Sequence, residues 1–223
     1  MVPIPSTLAT TRARILDATR RIFNQRGYAA TTQAEIAAAV GISQGNLTYH
    51  FPTKRDLVAH LEEEGRERIR ARRASLRTGA IADDYVEHLL FAMSLTRDYR
   101  FLLRDRAQFG DGRDAPEPGP ETAADFEELR ELLRRIEKDG LLRRDLHVDL
   151  GVLTRSLWIV SRYWLDYLRE SEGIARVRWA DQERGIQHHF AVLLPYLTAS
   201  ARREFEAALL GAAGRLAVRD EPE

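Results

Sequence analysis

The sequence predicts an all-α protein. Apolar residues recur at three- and four-residue intervals along most of its length, the period of one helix face. No segment shows the apolar–polar alternation of a strand, and there is no internal repeat. Capping residues stand ahead of several periodic segments, and glycine or proline closes them.

The first helix carries Ile15, Ala18, Thr19, Ile22 and Phe23 on one face and stops at Gly27. "TQAE", Thr32 to Glu35, reads as a capping box that opens a short second helix from Gln33 to about Ala39, which Gly41 breaks. Ser43 caps a third helix from Gln44 to about His50. Pro52 closes it, because the residue before proline disfavours the helical conformation. "TKRD", Thr53 to Asp56, starts a fourth helix reaching about Arg77, with a stripe of Leu57, Leu61, Gly65, Ile69 and Leu76. Glu62 with Arg66, and Glu64 with Arg68, fit i,i+4 pairing on it.

Later helices carry Tyr85, Leu89, Ala92 and Met93, then Phe101, Leu102, Leu103 and Phe109. "GDGRDAPEPGP", Gly110 to Pro120, reads as an exposed loop. A stripe of Phe126, Leu129, Leu132, Leu133 and Ile136 follows, ending at Gly140. Asp149 caps a long helix with Leu153, Leu157, Trp158, Trp164, Leu165 and Leu168. The last strong stripe is Ile186, Phe190, Leu193, Leu194 and Leu197, where Pro195 predicts a kink. A short acidic tail, "RDEPE", closes the chain.

Composition narrows the class. The 44% hydrophobic content of the 223 residues suits a globular chain. No secretory signal and no run of eighteen apolar residues is present, so a cytoplasmic protein without a membrane span is expected. With no cysteine there is no disulfide, thiol nucleophile or zinc–thiolate site. A formal net charge of zero hides an asymmetry. Residues 1–79 hold 13 Arg and Lys against 7 Asp and Glu, an excess of six that the remainder cancels. A basic front end points to a polyanion, although arginine is the default basic residue throughout this chain.

The segment "VGISQGNLTYHF", Val40 to Phe51, places polar side chains among small apolar ones. They can line a pocket, or they can be the reading edge of a helix. A helix-turn-helix needs a small residue in its first helix, a glycine in the turn and an apolar plug in its second. Ala37, Gly41 and Leu47 supply these, while Ile36, Val40, Ile42, Leu47 and Phe51 can point inward together. Gln44, Gly45, Asn46, Thr48, Tyr49 and His50, behind Ser43, are left outside. Gln and Asn suit adenine edges, Thr a thymine methyl or a phosphate, and Gly45 close approach of the backbone. Lys54 is placed for a phosphate, as are the N–H groups at Thr31 and Thr32.

From Ala13 to Leu61 the chain resembles the TetR family of bacterial transcription regulators. The likeness rests on Phe23, Gly27-Tyr28, Thr32, Ile36-Ala37, Gly41-Ile42-Ser43, Gly45, Leu47, Tyr49-His50-Phe51, Lys54 and Leu57. Thr48 departs from it, standing where the family more often has Tyr. The resemblance implies a DNA-binding domain over residues 9–69, with the helix-turn-helix at about 32–51. A helical dimerisation and effector-binding domain over 70–223 would follow. The implied function is a sequence-specific regulator, a repressor that releases a palindromic operator when a small effector binds, acting as a homodimer. An activator, or a small-molecule-binding protein without operator function, is the alternative.

Specificity from a seven-residue helix normally requires two copies, and the stripes around Trp158 to Leu168 and Ile186 to Leu197 can pair with a second chain or form internal core. Phe91, Met93, Phe101, Phe109, Phe126, Trp158 and Tyr163 are candidates to line an effector pocket. No cofactor, metal or catalytic activity is expected. His188 and His189 diverge by about 100° on a helix. The run Asp145, His147, Asp149 meets a helix start where Asp149 already serves as cap.

Overall fold

Side-chain caps open several of the helices, and glycines close three of them. In this computed structural model, in which residues 10–75, 79–105, 108–109, 120–174 and 177–217 are described, α1 (Thr11–Arg26) begins where Thr10 accepts the Ala13 N–H. It ends at Gly27, φ +92°, a left-handed conformation that favours glycine. α2 (Gln33–Val40) opens with the full capping box of Thr32 and Glu35 and closes on Gly41, φ +74°. α3 (Gln44–His50) starts from the Ser43 hydroxyl, which accepts the Asn46 N–H. At the head of α4 (Lys54–Ser75) the Asp56 carboxylate accepts both the N–H and the hydroxyl of Thr53, each at 2.8 Å.

α5 (Ile81–Asp98) and the short α6 (Arg100–Arg104) follow, then α7 (Pro120–Lys138). α8 (Leu150–Glu172) is capped by Asp149, whose side chain accepts the Val152 N–H, and stops at Gly173 in a left-handed conformation. α9 (Trp179–Leu193), a 3₁₀ turn (Leu194–Tyr196) and α10 (Ala199–Ala217) complete the described chain. Among the described residues there is no strand, only an isolated antiparallel bridge between Leu142 and Leu197. The fold is all-α.

The helices divide into two compact units, Met1–Arg68 with Asp98–Pro116, and Ile69–Arg97 with Glu117–Glu223. A single boundary at 69/70 was expected, and the return of Asp98–Pro116 to the first unit departs from it. Its cause is long-range hydrogen bonding. The Asn24 amide donates to the Asp98 carbonyl at 2.7 Å and accepts the Phe101 N–H at 3.2 Å. Arg104 donates to the carbonyls of Phe23 and Asn24, which fills the open C-terminal end of α1. The partners lie 74 to 81 residues apart. The core of this unit contains Ile15, Phe23, Ile36, Leu47, Phe51, Leu57, Leu61 and Phe101, all fully buried. Each such side chain contributes about 1.5–3 kcal/mol relative to exposure.

The second unit packs α5, α7, α8, α9 and α10 around Tyr85, Leu89, Leu133, Ile136, Leu157, Leu168, Leu193 and Phe205. Pro195 does more than kink a helix. α9 stops at Leu193, and Leu197 is already extended. Two hydrogen bonds, Arg143 N–H to the Tyr196 carbonyl and Thr198 N–H to the Leu141 carbonyl, both 2.8 Å, hold that extension and separate α10 as a new helix. On α4 the expected i,i+4 pairing gives way to tertiary partners. Arg68 reaches Asp98 at 2.9 Å, and Glu64 accepts the Tyr99 hydroxyl at 2.7 Å, while Arg66 meets Glu63. The expected loop at 110–120 lies outside the described residues except for Pro120, which begins α7. So do Leu76, Arg77 and the acidic tail.

Candidate nucleic-acid interface

α2 and α3 meet through the three residues that their spacing singled out. Ala37 is buried, and Leu47 is fully enclosed with Ile36 and Phe51. Gly41 sends its N–H to the Ala37 and Ala38 carbonyls, and Ile42 sends its own to Ala37 at 3.0 Å. A Cβ on Gly41 would meet nothing within 4 Å, so the positive φ, not space, is what calls for glycine there. From α1, Arg14 donates to the Val40 carbonyl at 2.7 Å and closes the end of α2.

This packing leaves Gln44, Gly45, Asn46, Thr48 and Tyr49 on the exposed edge of α3, with His50 half-buried beside Tyr49. Tyr49 is 82% exposed, far more than a packing role would allow. Ser43 is exposed and spends its hydroxyl oxygen as the cap. Thr48 is exposed and donates its hydroxyl proton to the Gln44 carbonyl at 2.8 Å. Gly45 has only the Ser43 hydroxyl near a notional Cβ, at 4.0 Å, so the fold itself does not require glycine there.

Three residues expected at phosphates also make contacts within the chain. Thr31 is buried, its hydroxyl donating to Gly27 and its N–H to Tyr28. Thr32 gives its N–H and hydroxyl to the Glu35 carboxylate, at 2.8 and 2.9 Å. Those bonds, with a smaller pull from Arg26, hold the Glu35 carboxyl below the usual range. The Thr32 amide thus already serves an internal anion, and the Thr31 amide a backbone carbonyl. Lys54 turns inward, donating to the Tyr28 carbonyl at 2.7 Å and the Thr31 carbonyl at 2.9 Å, and burial lowers its pKa. Gln33, which no local pattern singles out, donates its amide to the Phe51 carbonyl at 3.1 Å and ties α2 to the end of α3.

The pocket candidates scatter. Phe101 and Phe109 stand in the first unit, in a ring cluster with Phe23 and Tyr28, and so fall outside the helical second unit. Phe126, Trp158 and Tyr163 come together as edge-to-face rings with centroids about 6 Å apart. The Trp158 indole donates to Asp125 at 3.0 Å, next to the buried His88, which lies 3.3 Å from Glu128. Met93 is core, while Phe91 is half-buried beneath Arg72. His188 is exposed against Trp164, and His189 is buried against Tyr85. Asp145 pairs with Arg143, and Asp149 caps α8. Among the described residues no helix is long and apolar enough to cross a membrane, and no three His, Cys, Asp or Glu side chains are grouped to hold a metal.

Comparison with known proteins meets this geometry. The profile of the bacterial regulatory proteins of the tetR family matches residues 15–61, and the TetR bacterial transcriptional repressor profile matches residues 60–205. The transcriptional regulator CymR of Pseudomonas putida is 26% identical over 170 residues, covering 74% of this chain and 68% of that protein. The regulator TtgR, also of Pseudomonas putida, is 45% identical over 51 residues, covering 23% of this chain and 24% of its own. A TetR-family regulator from Marinobacter aquaeolei VT8 superimposes with a TM-score of 0.70 at 21% identity, over 91% of this chain and 98% of that one. A gamma-butyrolactone receptor superimposes with a TM-score of 0.64 at 20% identity, over 89% and 94%. At such identities the two structures speak to the fold alone. Matched by successive profiles from residue 15 to residue 205, the chain belongs to the TetR family of bacterial transcriptional regulators.

Proposed function

We propose that the protein reads a palindromic DNA operator in the cytoplasm as a homodimer, represses there, and releases the site when a small molecule binds the second unit. The observation that carries the reading is the edge of α3. Gln44, Asn46 and Tyr49 are exposed on a helix whose other face is locked by Leu47, and among the described residues the Gln44 and Asn46 side chains have no hydrogen-bond partner. Gln and Asn at such an edge pair with adenine in the major groove, and Gly45 admits the duplex close to the backbone.

A second observation supports the dimer. The periodic stripe on α8, with Leu157, Trp164, Leu165 and Leu168, is spent inside one chain, as are Ile186, Phe190, Leu193 and Leu197 on α9. A different face of α8 carries Val152, Ile159, Tyr163 and Tyr167, each about half exposed. At 100° per residue these four fall within an arc of about 80°, along roughly 22 Å of helix. A second copy of the same face would cover them. For the effector, the Phe126 and Trp158 rings beside Asp125 and His88 join apolar and polar groups in the second unit.

The test is selection of duplexes from a random library by the full-length protein, followed by mobility-shift titration. The reading expects an enriched palindrome, affinity that falls steeply with salt, and a larger loss for Asn46→Ala on the enriched duplex than on random DNA. Failure to enrich any sequence at moderate salt would overturn it.

A further inference from the structure

We propose that Thr48 is a specificity-determining residue, which packs its methyl group against a thymine methyl of the operator and makes no phosphate contact. The proposal rests on the DNA-reading function above. Thr48 is exposed on α3, and its hydroxyl donates to the Gln44 carbonyl at 2.8 Å. A threonine hydroxyl has one proton, and a phosphate oxygen only accepts. With that proton committed inside the helix, Thr48 has none to give the DNA backbone. What it retains for a duplex is a methyl group and an acceptor oxygen.

The rest of α3 carries matching chemistry. At about 100° per residue, Gln44 and Thr48 lie about 40° apart around the helix and about 6 Å apart along it. Leu47 is fully buried, so the two share one flank of the exposed edge. Among the described residues the Gln44 side chain has no hydrogen-bond partner, which leaves its amide for the N6 and N7 edge of adenine. An adenine edge and a thymine methyl together mark an A·T pair in the major groove. From Gln44 to His50 the chain has no Arg or Lys, the side chains that most often read guanine. Thr48 is also the position where α3 departs from the family likeness, so this contact belongs to the chain's own operator rather than to the fold.

The probe is the palindromic duplex enriched by the wild-type protein, with deoxyuridine replacing one thymidine at a time, at the same place in both halves. Uracil keeps the O4 acceptor of thymine and lacks only its C5 methyl. At one position the wild-type affinity in mobility-shift titration should fall about tenfold, from one lost methyl contact in each half-site. Thr48→Ser keeps the hydroxyl and drops the methyl, and should bind the thymine and uracil duplexes alike. Thr48→Val keeps a methyl and drops the hydroxyl, and should still prefer thymine at that position. The side chain is exposed, so both variants should fold as the wild type does, which circular dichroism checks.

The proposal is overturned if uracil costs the wild type nothing at every position, or if Thr48→Ser stays as sensitive as the wild type at each one. It is likewise overturned if folded Thr48→Val loses the preference for thymine, or if the enriched half-site contains no A·T pair. A wild-type protein that enriches no duplex refutes the DNA-reading function itself, an outcome visible before any variant is compared.

Discussion

Tyr85 and His189 share a 2.7 Å hydrogen bond inside the second unit, with both side chains almost wholly removed from solvent. Burial, and secondarily the nearby His88, pushes the His189 pKa down to about 3. The folded protein therefore holds a neutral imidazole that the unfolded chain would protonate near pH 6.5. As pH falls below 6.5 the unfolded state takes up the proton first, so folding stability drops, by about 2 kcal/mol at pH 5 from this group. Above pH 7.5 its contribution is constant. Urea titrations of wild type and His189→Gln between pH 4 and 8 check this. The wild-type curve should be the steeper below pH 6.5 and parallel above, and parallel curves throughout would refute it.

Gly185 is a close-approach glycine. A Cβ there would stand 2.6 Å from the Trp164 ring and 2.7 Å from the Met93 methyl. Gly185→Ala should therefore destabilise the protein by about 1–3 kcal/mol through overpacking. Gly211, on α10, has nothing within 4 Å of its notional Cβ. Gly211→Ala should stabilise, by about 0.5–1 kcal/mol, through helix propensity. Opposite shifts of the thermal midpoint are the expected signature of the pair.

Gly45→Ala should separate stability from function. Its Cβ fits without contact, so the midpoint of unfolding should hold or rise by up to about 1 kcal/mol of stability. Affinity for the enriched duplex should fall at least tenfold if the helix backbone approaches DNA there. Equal affinity, measured by mobility shift, would remove Gly45 from the interface.

Ile159→Glu places a charge in the middle of the exposed α8 face, where Ile159 is 49% exposed. In an isolated chain this is a surface change costing less than about 0.5 kcal/mol. In a dimer built on that face it buries an unpaired carboxylate. Sedimentation should show a folded monomer and a wild-type dimer. An unchanged mass would mean that the face lies outside the interface.

Local chemistry was readable in the sequence and tertiary chemistry was not. The caps at Thr32, Ser43 and Asp149 depend on residues three positions away, and all three form as their spacing implies. The outward edge of α3 followed from the period that turns Leu47 inward. Lys54 shows where such reasoning ends. It has the charge and position for a phosphate, yet carbonyls 23 and 26 residues earlier take its ammonium. α8 shows a second limit. Its apolar residues occupy two faces, and only packing reveals that Leu157 is interior while Ile159 is not. Asn24 and Asp105 gave no signal, because their partners are more than 70 residues away in sequence.

The first unit is assembled from two stretches of chain, with Ile69–Arg97 passing through the other unit in between. A ribosome delivers those stretches in order. When Arg68 has been made, the α1 carbonyls still lack the Arg104 guanidinium, and the Tyr28 N–H still lacks the Asp105 carboxylate. At roughly 5–20 residues per second, synthesis needs about 2–8 s more to reach Phe109. During that interval the nascent polypeptide exposes the Phe23 surface that Phe101 later covers. The birth of this protein therefore has a vulnerable moment, tied to the place of Asp98–Phe109 in the message rather than to the finished structure.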